Sequence, residues 1–419
     1  MKTITLFVIL VCCSASLSAQ QAATTSADLV GLAQSLYMSG DFKGSAFAYA
    51  DAFKAKGGKA TANKHYNAAC SWALAGYPDS AFANLLFIAN HMNYANFGHM
   101  KSDPDLVSLA ADARWAPLLE TVMANRKQSF PGLEMLTVNR HQLEVVISGR
   151  ENAQNGKPVI VFENGRGTDL AYWLPIIREV SKEQVAFAYN RPRIGCSEDD
   201  NQVPTIDHIV EVLRQALRAK GLEPPYLFVG HSWGAAYIRC YASFYPDEVA
   251  GLIFVDPHDF VKKPGGGSLP YREIGLTQSQ IDSLFASYDK SADEYMAQGP
   301  AFVVEEMKAQ RAFSKTGYNL IARNPLPDVP VHFIMAGGYP AGASENEALY
   351  DHEKLFRINN NIMMKSWIAL IDPLSYGKFF YCSHSGHMVQ QDDPDIIIAS
   401  IKLALSDYRK IVKEKPSGQ

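Results

Sequence analysis

The composition of this 419-residue chain is that of an ordinary globular protein, with 47% hydrophobic and 20% charged residues. Such a chain can bury a full core, and it is long enough for two domains or for one large domain with an appendage. The formal net charge is −4 and no long basic run is present, which argues against an electrostatic surface for nucleic acid. No acidic block is long enough to predict a disordered tail.

Residues 1–19 are predicted to form a secretory signal peptide. Lys2 supplies a positive charge, the apolar stretch TITLFVILV follows it, and the small residues SASLSAQQ come next, which is the order of parts in such a peptide. We expect cleavage near Ala19 and export to the periplasm or the cell exterior; a buried N-terminal helix is the alternative. The apolar stretch is too short for a stable anchor, and no other segment is long and apolar enough to span a bilayer.

Four cysteines remain after this cleavage, and they are widely spaced without a CxxC pattern. The spacing predicts neither a disulfide scaffold nor a zinc site. Their apolar surroundings favour a role in packing, although export would permit a disulfide and the sequence leaves the pairing open. The four are Cys70, Cys196, Cys240 and Cys382.

Residues 22–128 are predicted to form a small all-helical domain. Two stretches each contain an amphipathic helix, a glycine turn and a second helix, with Gly40 and Gly76 in the turns. The spacing of these glycines is close to the repeat length of about 34 residues in tetratricopeptide proteins, which the segment loosely resembles. Because two hairpins are few for a free-standing solenoid, we expect this domain to pack against its neighbour or to bind a protein partner.

A second domain is predicted over residues 131–415. Pro131 and Gly132 mark the boundary, after which apolar strands alternate with helical stretches. Continuous apolar strands with helical crossovers predict a mostly parallel sheet with helices on both faces. Ligands bind such sheets at the carboxyl ends of the strands. The strand candidates are MLTVNRHQLEVVISG as a hairpin, KPVIVFENG, QVAFAYNRP, PYLFVGHS, VAGLIFVDP, VPVHFIMAGG and KFFYCSHSGH.

The pentapeptide GHSWG at residues 230–234 is the strongest candidate for a nucleophile. It matches G-x-S-x-G, and it lies between a buried strand, YLFVG, and a helical stretch, as a nucleophile elbow requires. Glycines suit the two outer positions because side chains there would crowd a strained turn. The pattern predicts that the hydroxyl of Ser232 is exposed above the edge of the sheet.

A serine hydroxyl needs a base that removes its proton, and the segment KFFYCSHSGHMVQQDDP offers His384 and His387. His387 is the favoured candidate because it follows a glycine after the strand has ended, which leaves its ring free to turn toward Ser232. A surface histidine without a catalytic role is the alternative at this position.

The carboxylate that would orient this histidine is less clear from the sequence. No aspartate directly follows the strand VHFIMAGG, although Glu345, Glu347 and Asp351 lie somewhat further along. Asp256, at the end of the preceding strand, is the favoured candidate, and Glu345 or Glu347 is the alternative. Either choice gives the order serine, acid, histidine along the chain. Asp256 could instead cap the next segment.

Two backbone N–H groups are needed to bind the oxyanion of an acyl-transfer reaction. The amide of Trp233, directly after the nucleophile, is one candidate. The loop after PVIVFENGRG should supply the other, and we assign it to the amide of Arg166. The Arg166 side chain is expected to point to solvent, with an anionic group of the substrate as the alternative partner.

Residues 135–410 resemble the serine-nucleophile enzymes of the α/β-hydrolase superfamily. The resemblance rests on VFENGRGTDLAYW, YNRPRIGCSE, VGHSWG, PDEVAGLIFVDP and SGHMVQQDDPD, which occur in the order of that family. It implies an eight-stranded core and catalysis through a serine ester intermediate without a metal or other cofactor. Two features depart from the family pattern: Asn164-Gly165 stands where His-Gly is commoner, and the usual aspartate after the seventh strand is missing.

A helical lid is predicted at about residues 258–327, where helical periodicity interrupts the strand pattern. The leading hypothesis is a secreted serine hydrolase that cleaves an ester, thioester, lactone or small amide of a small-molecule substrate. One alternative is a catalytically idle hydrolase fold that serves as a binding module. Another is a cofactor-free haloperoxidase or C–C bond hydrolase that uses the same triad.

Overall fold

The structure is a computed structural model that describes residues 26–260, 266–321, 323–339 and 350–414. The predicted signal peptide and the alternative acids Glu345 and Glu347 lie outside these residues. The chain divides into two compact units. One contains the described residues up to Tyr94 together with Lys101–Val122, and the other contains Ala95–Met100 and the chain from Met123 onward.

The first unit is helical, as the sequence predicts. Among the first four helices, those adjacent in sequence pack together, and alanines such as Ala33, Ala46 and Ala69 are fully buried. Gly40 and Gly76 have φ angles of 83° and 80°, a left-handed conformation that glycine adopts without a steric penalty. The helices before the sheet are α1 (Ser26–Met38), α2 (Phe42–Ala55), α3 (Ala62–Leu74), α4 (Pro78–His91), α5 (Phe97–Ser102) and α6 (Trp115–Ser129), with a 3₁₀ turn at Pro104–Leu109.

The second unit is built on an eight-stranded sheet with the order β1-β2-β4-β3-β5-β6-β7-β8. β2 is antiparallel to both of its neighbours, and the other pairs are parallel. The predicted α/β fold is thus confirmed. The strands are β1 (Leu133–Val138), β2 (His141–Ser148), β3 (Val159–Glu163), β4 (Ala186–Tyr189), β5 (Tyr226–His231), β6 (Val249–Val255), β7 (Val331–Ala336) and β8 (Gly377–Cys382).

Helices cover both faces of this sheet. β3, β5 and β6 are buried along their whole length, because α8 and α9 pack on one face while α7 and α15 pack on the other. The helices of this unit are α7 (Leu174–Val180), α8 (Ile206–Ala219), α9 (Gly234–Phe244), α10 (Leu269–Glu273), α11 (Gln278–Gln298), α12 (Ala301–Lys315), α13 (His352–Ile371), α14 (Val389–Asp392) and α15 (Pro394–Glu414).

The connections of the sheet bring the candidate residues to one edge. Ser232 follows β5, Asp256 follows β6, and His387 lies in the loop after β8, so all three are at the carboxyl ends of parallel strands. Helices α10, α11 and α12 occupy the segment for which the sequence predicts a lid, and α13 connects β7 to β8.

The four cysteines that follow the predicted signal peptide are free thiols, of which Cys196 is half-buried and the other three are buried. Within the described ranges, no helix combines the length and the apolar character that crossing a membrane demands.

His332 in β7 is a buried histidine remote in sequence from the candidate site, and its ring contacts Ser400 at 2.8 Å (Nδ1 to Oγ). Burial lowers the pKa of this ring to about 4. The positive charge of Lys378 adds to this effect, and it is larger than the opposing effect of Asp407. An unfolded chain protonates the same ring at a pKa of about 6.5. Between these two values the unfolded state binds more protons, so the folded state loses stability as the pH falls.

We therefore expect His332→Leu to reduce the acid sensitivity of the fold. The neutral His332 ring contributes fully to the free energy of unfolding above about pH 6.5. Below that pH, this contribution decreases by about 1.4 kcal/mol per pH unit, which urea unfolding at several pH values can measure. The slope of unfolding free energy against pH should be smaller in the variant by about this amount. The matched change His384→Leu, at a side chain that is 71% exposed, should leave the slope intact. Equal slopes in wild type and His332→Leu would contradict the prediction.

Candidate active site

The turn between β5 and α9 has the strained geometry of a nucleophile elbow. Ser232 has a φ angle of 52°, which is uncommon for a residue with a side chain. Its N–H donates to the carbonyl of Val255 at 3.0 Å, and its carbonyl accepts from the N–H of His258 at 3.0 Å. A Cβ atom at Gly234 would lie 2.6 Å from the carbonyl oxygen of Asn164, so only glycine fits there without displacing the backbone. The neighbouring strands thus hold the elbow in place.

A chain of two hydrogen bonds joins the three favoured residues. His387 Nε2 lies 3.0 Å from Ser232 Oγ, and His387 Nδ1 lies 2.6 Å from Asp256 Oδ2. The second carboxylate oxygen of Asp256 accepts the N–H of Ala336 at 2.9 Å. An ionised aspartate accepts a hydrogen bond from Nδ1–H, which keeps the proton on Nδ1 and leaves the lone pair of Nε2 for the serine hydroxyl. The geometry is that of a serine, its base and the acid that orients the base.

The alternative candidates for the base and the acid either make other contacts or lie outside the residues that the structure describes. His384 is exposed, and its ring lies 3.7 Å from Asp393. Asp351 caps α13 by accepting the N–H of Lys354 at 2.8 Å. Glu345 and Glu347 are outside the described residues.

His231, the residue before the nucleophile, fixes the backbone that carries His387. It is 1% exposed, and its Nε2 lies 2.8 Å from the carbonyl oxygen of His387. Because a carbonyl can only accept, this nitrogen carries the proton. Burial, followed by the charge of His387, lowers the pKa of His231 to about 3, so the ring is neutral at ordinary pH. The sequence pattern alone predicts no role for His231, although its place inside the G-x-S-x-G motif is a signal.

The two predicted oxyanion donors are available in the structure. Among the described residues, no acceptor receives the backbone N–H of Trp233 or of Arg166. The loop that carries Arg166 runs against the nucleophile, since a Cβ atom at Gly165 would lie 3.4 Å from the Cβ of Ser232. Trp233 directly precedes the first residue of α9, where the helix dipole also favours negative charge.

A buried arginine supports this loop from below. Arg191 is 0% exposed and donates to Glu163 and to Glu306, each at 2.6 Å. It also donates to the carbonyl oxygens of Asn164 and Gly165, at 2.8 and 2.7 Å. Burial disfavours the charged guanidinium, but the surrounding negative charge, with Glu306 first, raises the pKa of Arg191 well above its ordinary value. The loop is therefore anchored through a permanently charged group.

Helix α12 contacts the same loop through two side chains. Glu306, which is 3% exposed, accepts the N–H of Gly167 at 2.7 Å with its second oxygen. One turn further along, Gln310 accepts from the guanidinium of Arg166 at 2.9 Å. Arg166 is exposed, as the sequence predicts, but its guanidinium is bound to α12. These contacts join segments more than one hundred residues apart and could not be seen in the sequence.

Glu306→Gln is expected to lower the free energy of unfolding by about 3 kcal/mol, because breaking a buried ion pair leaves Arg191 partly uncompensated. The change should also lower kcat, since the Gly167 contact loosens the oxyanion loop. Chemical denaturation measures the first effect and steady-state kinetics the second. The matched control Glu305→Gln affects a partly exposed pair with Lys308 and should shift stability by less than about 1 kcal/mol. If both variants behaved alike, the proposed support of the loop would be wrong.

A cavity of about 1360 Å³ opens in front of the serine. Ser232, Trp233, Asp256 and His387 lie in its wall, together with residues of α12 and α13. The volume exceeds the roughly 300–1,000 Å³ of common small-molecule sites, so the cavity has room for a large substrate. The part played by α13 in this wall was not predicted from the sequence, which placed the cover of the site only between β6 and β7.

Potential metal ligands form one cluster within the described ranges, in the helical unit. It consists of Cys70, Asp103 and Asp105. The hydroxyl of Tyr66 donates to Asp103 at 2.8 Å, and the hydroxyl of Tyr37 donates to Asp105. Both carboxylates of the cluster therefore accept a hydrogen bond from a tyrosine.

The sheet order and the elbow define the class of protein: an α/β fold that presents a serine after its fifth strand. The protein family described as alpha/beta hydrolase fold matches residues 158–288, which include the elbow. The family match and the sheet order together show the α/β-hydrolase fold, and this fold supports hydrolase activity.

Individual relatives are more distant. The uncharacterized protein YqjL of Bacillus subtilis is 36% identical over 98 residues, which cover 23% of this chain and 39% of the relative. An AB hydrolase superfamily protein of Gibberella zeae is 21% identical over 311 residues, or 64% of this chain and 94% of the relative. Among solved structures, the enol-lactonase from Burkholderia xenovorans LB400 aligns with a TM-score of 0.39 and 17% identity over 65% of this chain and 100% of that one.

Proposed function

We propose that the protein is a serine hydrolase that cleaves a carboxylic acid derivative, namely an ester, thioester, lactone or small amide, through an acyl-enzyme on Ser232. The observation that carries this proposal is the hydrogen-bonded series Ser232–His387–Asp256 at the wall of an open cavity. The unused N–H groups of Trp233 and Arg166 support it, because acyl transfer needs donors for an oxyanion beside the nucleophile.

In the first half of the reaction, Ser232 Oγ attacks the carbonyl carbon while its proton moves to His387 Nε2. The carbonyl oxygen becomes an oxyanion and accepts hydrogen bonds from the N–H groups of Trp233 and Arg166. When the tetrahedral intermediate collapses, the bond to the leaving group breaks and the proton on His387 passes to that group.

In the second half, a water molecule attacks the serine ester and gives a proton to His387. Collapse of this intermediate releases the acid and returns the proton to Ser232. Asp256 stays ionised throughout, holds the imidazole in one tautomer and stabilises the imidazolium that forms in each half. His231 holds the backbone carbonyl of His387 and so fixes the position of the base without touching the substrate.

A common-intermediate experiment tests the proposal. Two aryl esters with the same acyl group and different phenol leaving groups are hydrolysed in water that contains methanol. An acyl-enzyme has lost its leaving group before water or methanol attacks, so both esters should give the same ratio of acid to methyl ester. A ratio that changes with the leaving group, or no turnover of any ester across a range of acyl lengths, would contradict the proposal.

A further inference from the structure

The walls of the active-site cavity differ in chemistry. One wall, formed by Arg166 and by Met307, Gln310, Arg311, Ser314 and Lys315 of α12, is mainly polar and basic; we call it the basic wall. These positions of α12 recur three or four residues apart, so they share one face of the helix. Another part of the cavity is apolar and includes Leu269 and Pro270 of α10 and Ile362, Met363 and Ala369 of α13.

The basic wall contains cations that form no ion pair within the described part of the chain. Among the described residues, no carboxylate forms an ion pair with Arg166 or with Lys315. Arg311, in contrast, is paired with Asp293 at 2.6 Å and with Asp289 at 3.3 Å. Arg166 uses one of its five N–H donors on the neutral amide of Gln310. The remaining donors of Arg166 can reach a bound group.

Gln310 adds a donor of its own. Its side chain is 9% exposed, and while its oxygen accepts from Arg166, its Nε2 has no partner among the described residues. A buried amide donor without an acceptor costs free energy unless a ligand or a water molecule satisfies it. The amide and the guanidinium thus form adjacent donor groups at the cavity wall.

In the described part of the chain, the acidic residues that line the cavity do not pair with these cations. Asp256 is hydrogen-bonded to His387. Asp259 lies near Tyr318, where burial and this carboxylate raise the pKa of the phenol to about 12. Among the described residues, Asp256 and Asp259 are the two carboxylates of the cavity lining, and Arg166 forms an ion pair with neither.

The position of Arg166 connects these donors to the reaction. Gly165, the preceding residue, lies so close to the nucleophile that an added Cβ would be 3.4 Å from the Cβ of Ser232. Arg166 and Ser232 also line the same cavity, so an anion held by the Arg166 guanidinium can belong to the molecule whose carbonyl Ser232 attacks. Arginine matches a carboxylate best, because two parallel N–H groups can bind its two oxygens.

We propose that the substrate is an amphiphilic ester that carries a carboxylate, which the basic wall binds through Arg166 with support from Gln310 and Lys315, while its aliphatic part lies against α10 and α13. This inference rests on the serine hydrolase function proposed above and specifies the substrate class of the same site.

Two pairs of matched esters test the proposal. In the first pair, the acyl part of a phenyl ester is glutarate with a free carboxylate or with that carboxylate methylated. In the second, the leaving group is 4-hydroxybenzoate or its methyl ester. We expect kcat/KM to favour the carboxylate member of at least one pair by roughly tenfold to a hundredfold, which is the range for a charge-assisted hydrogen bond. High salt should reduce this preference.

Three variants assign the effect. Arg166→Met retains the backbone N–H and should bring the preference for the carboxylate close to unity. Lys315→Met should reduce it less. Lys308→Met, on the same helix but paired with Glu305 and absent from the cavity lining, should retain the wild-type preference. The ratio of the two esters corrects for a general loss of activity in any variant.

The outcomes separate this inference from the proposed function. If the wild type hydrolyses the neutral esters but shows no preference for either carboxylate, or if the preference survives Arg166→Met, the carboxylate site is wrong and the hydrolase proposal stands. If the wild type hydrolyses no member of either pair and leaves neutral esters of every other acyl length intact, both proposals fail. Should Arg166→Met not fold, Gln310→Leu must lower the preference; an unchanged preference would overturn the inference.

Discussion

Replacing Ser232 with alanine is expected to lower kcat for ester hydrolysis by about 10⁶-fold, because the change removes the atom on which the acyl group is carried. The neighbouring backbone should stay in place, since the Ser232 N–H and carbonyl are bound to Val255 and His258. A folded, inactive variant is therefore the predicted result, with circular dichroism as the check on folding and single-turnover kinetics as the measurement.

The double variant Ser232→Ala/His387→Ala gives this prediction its control. If the base acts only on the serine hydroxyl, as the distance of 3.0 Å between the two groups indicates, then the second change should cost almost nothing once the first is made. If the loss of kcat in the double variant instead equalled the product of the losses in the two single variants, His387 would activate something other than Ser232. Activity near the wild-type level in the single variant Ser232→Ala would refute the nucleophile assignment.

Asp256→Asn is expected to lower kcat by about 10⁴-fold while the protein remains folded. An asparagine that turns its amide nitrogen toward His387 would stabilise the tautomer with the proton on Nε2, and that tautomer cannot accept the proton of Ser232. If asparagine instead presents its oxygen to His387, the loss of charge still weakens the imidazolium that forms during the reaction. The measurement is kcat at a pH where the wild type is fully active.

Asp351→Asn is the matched control for this change. Asp351 caps α13, and asparagine caps helices about as well as aspartate, so kcat should stay near the wild-type value. Wild-type activity in Asp256→Asn would instead move the acid to Glu345 or Glu347, the alternatives left open by the sequence. Variants with glutamine at these two positions would then be the next to be measured.

Much of the fold could be predicted because its signals are local. Continuous apolar strands such as YLFVG and VAGLIFV can only be buried on both faces, and they alternate with helical stretches. The glycines of the elbow belong to a short local motif, although the space that excludes a side chain at Gly234 is filled by Glu163 and Asn164 at the end of β3. Ser232 and His387 were therefore identifiable as candidates from their positions after strands.

The rest depends on contacts between distant segments, which the sequence pattern does not encode. Asp256 could be ranked only as the favoured acid, because its contact with His387 requires the paths of the loops after β6 and β8. The support of the oxyanion loop by Glu306 joins residues 139 positions apart. Arg191 stood inside the quoted stretch YNRPRIGCSE, but nothing in the pattern shows that its guanidinium is buried under the loop.

The most direct test of the account is covalent labelling with a fluorophosphonate, which reacts with an activated serine and stays attached to it. The folded wild-type protein should take up one equivalent, and peptide mass spectrometry should locate it on Ser232. Ser232→Ala should remain unlabelled, and Asp256→Asn should react much more slowly than wild type. A wild-type protein that is folded yet takes up no label, or takes it up on a different serine, would contradict the assignment of Ser232 as an activated nucleophile.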